Sequence, residues 1–311
     1  MKLSVAMVAY NQEGFIARAL ESVLAQRTNF DFEVVIGDDG STDGTRAAIE
    51  SFRRRRPDRI FPIYRERNIG AGPNFVATLG ACRGEYAAFL EGDDYWTSDD
   101  KLQRQVDLLD GRPELALCCH RVRILNETGA TAPDVLPARA AGTYALEDLL
   151  EENFVMTSSA VLRRALIGPL PSWYAAATVG DWPLFALVAR GGKIELWDDA
   201  LSAYRVHAGG AWSSRPMIER LREGNRMLRL LDEQLEFRYA PTIRRTILRS
   251  YLTMAATARS LGRRAETAEH LTRYALEGGL RLPENRRLVA GLAAYALIGS
   301  GYRLLARART R

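Results

Sequence analysis

Residues Tyr86 to Trp96 read Tyr-Ala-Ala-Phe-Leu-Glu-Gly-Asp-Asp-Tyr-Trp, an apolar run that ends in three carboxylates within four positions. A buried strand that delivers Glu91, Asp93 and Asp94 to one point concentrates like charge, which costs free energy unless a cation sits beside it. The ordinary alternative is loop chemistry, in which acidic residues and glycine follow a strand and an aspartate caps the next helix.

The elements that must position these groups are legible nearby. Leu3 to Tyr10 is short, apolar and β-compatible, and the next stretch places Phe15, Ile16, Ala19, Leu20, Val23 and Leu24 on one helical face. The alternation continues with strands over Phe32–Gly37, Ile60–Tyr64 and Tyr86–Leu90 and helices over Thr42–Phe52 and Pro73–Cys82. Such spacing predicts an α/β fold with a mostly parallel central sheet flanked by helices.

Sheets of this kind bind ligands beyond the carboxyl ends of their strands. Tyr10-Asn11, Asp38-Asp39-Gly40-Ser41 and Glu91-Gly92-Asp93-Asp94 are therefore expected to converge, with Arg65, Arg67 and Asn68 near the end of the third strand. The turn after the first strand, Tyr10-Asn11-Gln12-Glu13-Gly14, is not a glycine-rich phosphate loop, and no Walker-type loop occurs. A nicotinamide or flavin site thus loses its main support. The phosphates of a nucleotide need another holder, and a divalent metal on Asp93 is the natural one.

Beyond Leu117 the pattern is less regular, with a loop from Asn126 to Gly142, a strand expected over Val155–Leu162 and a helix over Trp182–Arg190. After Pro216 the chain reads helical, over Met217–Leu235, Thr242–Ser260 and Ala265–Leu276. The expected division is a domain of residues 1–215 and a basic helical region of residues 216–311.

Six motifs stand in order: Val8-Ala9-Tyr10-Asn11-Gln12-Glu13, Asp38-Asp39-Gly40-Ser41-Thr42-Asp43, Asn68-Ile69-Gly70, Glu91-Gly92-Asp93-Asp94, Gly180-Asp181-Trp182 and Tyr204-Arg205-Val206-His207. In this order the chain resembles the family 2 glycosyltransferases with the GT-A fold, over about residues 1 to 215.

The resemblance implies a metal-dependent inverting transferase that moves a sugar from a nucleotide-diphosphosugar to an acceptor hydroxyl. Tyr10 would lie against the base, Asp39 would hydrogen-bond base or ribose, and Asp38 would support that loop. Asn11, Arg67, Asn68 and Arg205 would complete the donor site. Glu91 and Asp93 occupy the family's Asp-x-Asp motif, with glutamate in place of the first aspartate. Asp93 and His207 would ligate Mn²⁺ or Mg²⁺, and Asp94 would touch the donor sugar or the acceptor edge.

The same resemblance makes Asp181 the general base, beside its simpler reading as a helix cap followed by Pro183. Ser41 or Thr42 would likewise cap the helix after the second strand. Trp96 and Trp182 are candidates for stacking on an acceptor, although tryptophan is also ordinary core material. The glycines of Ala208–Ser214 suit a loop that closes over the donor. UDP is the first expectation for the nucleotide, with dTDP and GDP behind it. The acceptor would be a glycan, a lipid-linked saccharide or a small molecule, in envelope polysaccharide or natural-product assembly. The rival is a non-catalytic sugar- or nucleotide-binding scaffold, against which stands the completeness of Asp39, Asp93, Asp181 and His207.

Composition narrows the field. The 311 residues, 47% hydrophobic, contain no run of eighteen apolar residues, and only Lys2 precedes the apolar alternation that begins at Leu3. The chain therefore reads as cytoplasmic and unprocessed. Cys82, Cys118 and Cys119 lie in apolar contexts and read as core thiols. From Pro216 to the end there are 19 arginines against 9 acidic residues, a net +10, so the first part is net −5. Arg286-Arg287, an apolar run from Leu288 to Tyr302, and Arg303, Arg307, Arg309 and Arg311 fit an interfacial anchor at 283–311 on anionic lipid at the inner face of the plasma membrane. Packing against the first domain or against a second copy in a homo-oligomer fits as well. Nucleic acid is not expected as a partner, because no binding module is recognisable and the acidic crevice would repel phosphates.

Overall fold

The computed structural model describes residues 1–128, 134–177, 180–212, 214–282 and 285–296. The chain forms two compact units, Met1–Ser214 and Arg215–Arg311.

The first unit begins with β1 (Leu3–Ala9), α1 (Ile16–Leu24), β2 (Phe32–Asp38), α2 (Thr45–Arg55), β3 (Ile60–Tyr64), α3 (Ala71–Ala81) and β4 (Tyr86–Glu91). It continues through β5 (Tyr95–Trp96), α4 (Lys101–Gly111), β6 (Leu115–Asn126), β7 (Val135–Leu136), β8 (Gly142–Tyr144), α5 (Leu146–Glu151), β9 (Val161–Arg163), α6 (Asp181–Ala189) and β10 (Lys193–Val206). Among the described residues the strands form one sheet in the order β3-β2-β1-β4-β9-β6-β10-β5, with β7 beside β6 and β8 beside β10. The pairs β3–β2, β2–β1, β1–β4 and β6–β10 are parallel, and β9 runs antiparallel to both of its neighbours. The GT-A-type architecture expected from the sequence is the one observed.

Both faces of the sheet are covered, which is why its central strands are apolar throughout rather than alternating. Leu3, Val5 and Met7 of β1 join Phe32, Val34 and Ile36 of β2 on one face, packed with Ile16, Leu20 and Val23 of α1 and Leu102, Val106 and Leu109 of α4. On the other face Phe89 of β4 meets Phe75 of α3 and Phe185 of α6, with ring centroids 5.8 and 5.9 Å apart. Full burial of each large aliphatic side chain contributes about 1.5–3 kcal/mol.

Three local expectations are corrected. Helix α2 starts at Thr45, not Thr42: Gly44 is its N-cap, and the Asp43 carboxylate, not Ser41 or Thr42, accepts the Thr45 N–H at 3.0 Å. The strand expected over Val155–Leu162 is a 3-10 turn at Thr157–Ser159 followed by the short β9: the buried Ser158 and Ser159 give their carbonyls to Trp96 Nε1 and Gln105 Nε2 rather than to a ladder. The loop from Asn126 to Gly142 contains β7, and residues 129–133 of it lie outside the described ones.

The second unit contains α7 (Met217–Gln234), α8 (Ala240–Ser260) and α9 (Arg264–Leu276), close to the expected spans. Leu228 and Leu231 of α7 and Ile247, Tyr251 and Met254 of α8 are buried, and the Ser250 hydroxyl donates to Asn225 at 2.6 Å between these helices. At the C-terminal end of α9, Arg244 Nε donates to the Glu277 carbonyl at 2.8 Å and Arg229 pairs with the Glu277 carboxylate at 2.5 Å. That contact gathers the last turn of α9, the start of α8 and the middle of α7. The apolar run from Leu288 is helical in its described part, and its remainder from 297 lies outside the described residues.

Candidate active site

The parallel register sets the site. Ala9, the last residue of β1, pairs with Asp38 of β2 on one side, and Val8 pairs with Glu91 of β4 on the other. The loops after three adjacent strands therefore leave the sheet at one level, as the sequence predicts.

On the β2 side, Asp38 is fully buried, and its carboxylate takes two hydrogen bonds from Arg46 (3.0 and 2.8 Å) and one from the Ser41 N–H (3.3 Å). Its geometry is that of a loop support. Asp39 is also buried and accepts the N–H groups of Ile69 (2.8 Å) and Gly70 (3.0 Å), so it holds the segment that carries Arg67 and Asn68. Gly40, at φ +75°, makes this approach possible, since a Cβ there would lie 2.6 Å from the Arg67 carbonyl carbon. Asn11, at φ 50°, accepts the Thr42 N–H at 2.8 Å and donates its own N–H to Ser41 at 3.0 Å. Tyr10 beside it is 44% exposed, so its ring is available to a planar ligand. Arg67 and Asn68 are exposed on the same rim.

On the β4 side the chain turns through Gly92 into β5, whose antiparallel pairing with β10 (Trp96 opposite Ser202, Tyr95 opposite Ala203) brings Arg205 and His207 to the carboxylates. A Cβ at Gly92 would lie 2.3 Å from Gln12 Oε1 and 2.8 Å from Ile16 Cδ1, so a larger residue there would have to push both side chains aside. The Arg205 N–H donates to Asp94 Oδ1 at 2.8 Å and its Nε to the Asp93 carbonyl at 3.1 Å, while its guanidinium also binds Glu127. Arg205 thus ties the acidic loop to β10. Asp93 Oδ2 and His207 Nε2 are 3.1 Å apart, and Phe15 packs against the imidazole with centroids 4.9 Å apart.

Electrostatics reflect the crowding. Burial, then the charges of Asp93 and Asp181, push Glu91 up to about 8. Burial, then Glu91 and Asp93, raise Asp94 well above the ordinary carboxylate range. Burial raises Tyr204, and the charges of Asp94, Glu91, Asp93 and Asp181 add to it. Four carboxylates therefore act on one locality, and the charge of each is felt at Tyr204.

Asp181 is not the N-cap of α6. Gly180 is, and Asp181 is the first helical residue. Its Oδ1 accepts the Trp182 N–H at 2.7 Å and its Oδ2 the Thr157 hydroxyl at 3.1 Å, and burial raises its pKa.

The two tryptophans separate. Trp96 is buried in the core, donates Nε1–H to Ser158 O at 2.9 Å, and has Lys101 Nζ 4.3 Å from its ring centre. No acceptor can stack on it, which corrects the expectation for that residue. Trp182 is half-buried, with Nε1–H donated to Leu149 O at 2.8 Å.

Among the described residues no group of three or more His, Cys, Asp or Glu side chains could hold a metal ion by itself. The residues present nevertheless fit a divalent cation that keeps most of its coordination for phosphate and water. Neighbouring ligands of an octahedral ion at about 2.1 Å lie about 3 Å apart, which is the separation of Asp93 Oδ2 and His207 Nε2. Glu91 Oε2 and Asp94 Oδ2 are buried without a hydrogen-bond partner, a state that a nearby cation relieves.

Parallel strands whose carboxyl ends gather acidic loops, followed by an antiparallel exchange that returns a histidine, define a GT-A type nucleotide-sugar fold. The family model for Glycosyl transferase family 2 matches residues 4–168, and the chain belongs to that family. An uncharacterized protein of Mycobacterium tuberculosis is 41% identical over 215 residues, which are 68% of this chain and 61% of the relative. Among solved structures, Staphylococcus aureus TarS in complex with UDP-GlcNAc superimposes with a TM-score of 0.69 at 20% identity, covering 98% of this chain and 92% of that one. The mannosyltransferase PcManGT of Pyrobaculum calidifontis, in complex with GDP-Man and Mn²⁺, matches with a TM-score of 0.54 at 16% identity, over 97% and 87% of the two chains.

Proposed function

We propose that this protein is a metal-dependent inverting glycosyltransferase that moves a sugar from a nucleotide-diphosphosugar to an acceptor hydroxyl. The observation that carries the reading is the pairing of Asp93 with His207, together with a half-buried Asp181 that is held through both oxygens and whose charge acts on the same Glu91 as that of Asp93.

Tyr10, Asn11, Arg67 and Asn68 line the rim that takes the nucleoside, with Asp39 fixing the segment that carries the last two. Asp93 and His207 would hold Mn²⁺ or Mg²⁺, whose bound charge stabilises the departing nucleoside diphosphate. Asp94, buried and anchored by the Arg205 N–H, shapes the floor under the sugar. Asp181 accepts the proton of the acceptor hydroxyl as that oxygen bonds to the anomeric carbon and the bond from that carbon to the diphosphate breaks. Attack from the side opposite the leaving group inverts the anomeric centre. Burial makes Asp181 a stronger base than an exposed aspartate, which suits the role. Trp182, on the next position of α6, is the residue placed to meet the acceptor.

UDP is the first expectation for the nucleotide. The complexes of TarS with UDP-GlcNAc and of PcManGT with GDP-Man and Mn²⁺ support a nucleotide-sugar donor and a divalent metal. The test is thermal stabilisation by UDP, dTDP and GDP with and without Mn²⁺: a metal-dependent shift is expected with one of them, and none with any would sink the catalytic reading.

The second unit suits the surface of an anionic membrane. No helix among the described residues is long and apolar enough to cross one. Phe237, Leu276 and Leu280 are 60%, 81% and 60% exposed, and Arg238 and Arg281 are the chain neighbours of the first and the last. Exposed apolar side chains among arginines are what an interfacial contact requires.

A further inference from the structure

Thr157 belongs to none of the six motifs, yet its hydroxyl meets one of the carboxylates. Oγ1 donates to Asp181 Oδ2 at 3.1 Å.

The turn that presents this hydroxyl is pinned from three elements. Trp96 Nε1 of β5 donates to Ser158 O at 2.9 Å, Gln105 Nε2 of α4 donates to Ser159 O at 2.9 Å, and the hydroxyls of Ser158 and Ser202 of β10 are 3.1 Å apart. Ser158 and Ser159 are buried, so breaking any of these bonds leaves a polar group without water. Thr157 is consequently a fixed point rather than a mobile loop residue.

Asp181 needs such a point. Its Oδ1 is held by the N–H of its own neighbour Trp182, which still leaves the carboxylate free to twist about its last bond. Glu91, a carboxylate whose charge interacts with that of Asp181, would favour a twist away. The Thr157 hydroxyl is the donor found on Oδ2, and with both oxygens held the remaining lone pairs have one direction. A misplacement of about 1 Å at a reacting group can cost about 100-fold in rate.

We propose that Thr157 is the positioning residue of the general base, holding the Asp181 carboxylate in the orientation that receives the acceptor proton. The inference rests on Asp181 being that base.

The experiment measures nucleoside diphosphate release, with water as acceptor and Mn²⁺ present, from UDP-glucose, UDP-GlcNAc, GDP-mannose and dTDP-glucose. The donor turned over fastest by the unsubstituted protein is then used for Thr157→Val, Thr157→Ser, Asp181→Asn and the Thr157→Val/Asp181→Asn pair. Thr157→Val keeps the side-chain shape and removes the hydroxyl; Thr157→Ala replaces it if the valine variant does not fold. The expected result is a kcat lowered about 10- to 100-fold with donor KM within about twofold, recovery in Thr157→Ser, and no further loss when Thr157→Val is added to Asp181→Asn. Unchanged kcat in Thr157→Val, or an equal loss in the Asp181→Asn background, overturns the role of Thr157 alone. Full activity of Asp181→Asn, or no release by the unsubstituted protein from any donor, overturns the catalytic reading beneath it.

Discussion

Asp93 and His207 are 114 positions apart in the chain and meet at 3.1 Å, because the two-residue β5 turns the acidic loop onto the end of β10. The histidine is thus delivered by sheet pairing rather than by a flexible arm. His207→Ala is expected to abolish the Mn²⁺-dependent part of the thermal shift produced by nucleoside diphosphate, and EDTA should do the same to the unsubstituted protein. A retained shift in the variant, measured by differential scanning fluorimetry, would remove His207 from the ligand set.

Asp181→Asn keeps the size of the side chain and its acceptor oxygen but loses basicity. Transfer should fall by about 10²- to 10⁴-fold, the usual contribution of a positioned base. Donor binding, followed by calorimetry, should stay within a few-fold, since Asp181 touches Trp182 and Thr157 rather than the nucleoside rim.

Lys101 gives a pH dependence that the sequence does not announce. It is fully buried, its Nζ has no hydrogen-bond partner, and burial lowers its pKa to about 7. The sign follows from linkage: between about 7 and 10.5 the unfolded chain binds a proton that the native protein does not, so this group makes stability rise with pH across that window. Below about 7 the full cost of burying the charge is present. Lys101→Met should therefore stabilise the protein at pH 7 more than at pH 10, as read from urea unfolding at both values; equal effects at the two would count against a neutral buried lysine.

The membrane reading predicts co-sedimentation with phosphatidylglycerol vesicles and not with phosphatidylcholine vesicles. Leu276→Glu with Leu280→Glu should reduce it several-fold at unchanged thermal midpoint, because both side chains are more than half exposed. Equal binding to both vesicle types would point to apolar stickiness instead.

Much of the first half was legible because its physics is local. Apolar strands such as Phe32–Asp38 and one-sided helices such as Ile16–Leu24 carry their own period, and the acidic loops sit where parallel strands must end. The long strands β6 and β10 were not read: β6 carries His120, fully buried by tertiary packing, and alternating arginines in its second half, and β10 carries Asp198-Asp199 where its register shifts. Thr157 escaped because a neutral hydroxyl in an apolar run has no spacing signature. Trp96 misled for the converse reason, since an aromatic beside an acidic motif looks the same in sequence whether it faces a sugar or a buried lysine.

The grip of Asp39 on Ile69 and Gly70 divides the rim proposed for the nucleoside into a frame and a replaceable facing. Arg67 projects from a segment whose backbone is secured elsewhere, so its side chain is open to exchange without loosening the loop, whereas Asn68 Oδ1 accepts the Gly70 N–H at 3.0 Å and belongs to the frame. A library meant to redirect the proposed donor site from one nucleobase to another should randomise position 67 and leave Asp39, Gly40 and Asn68 untouched.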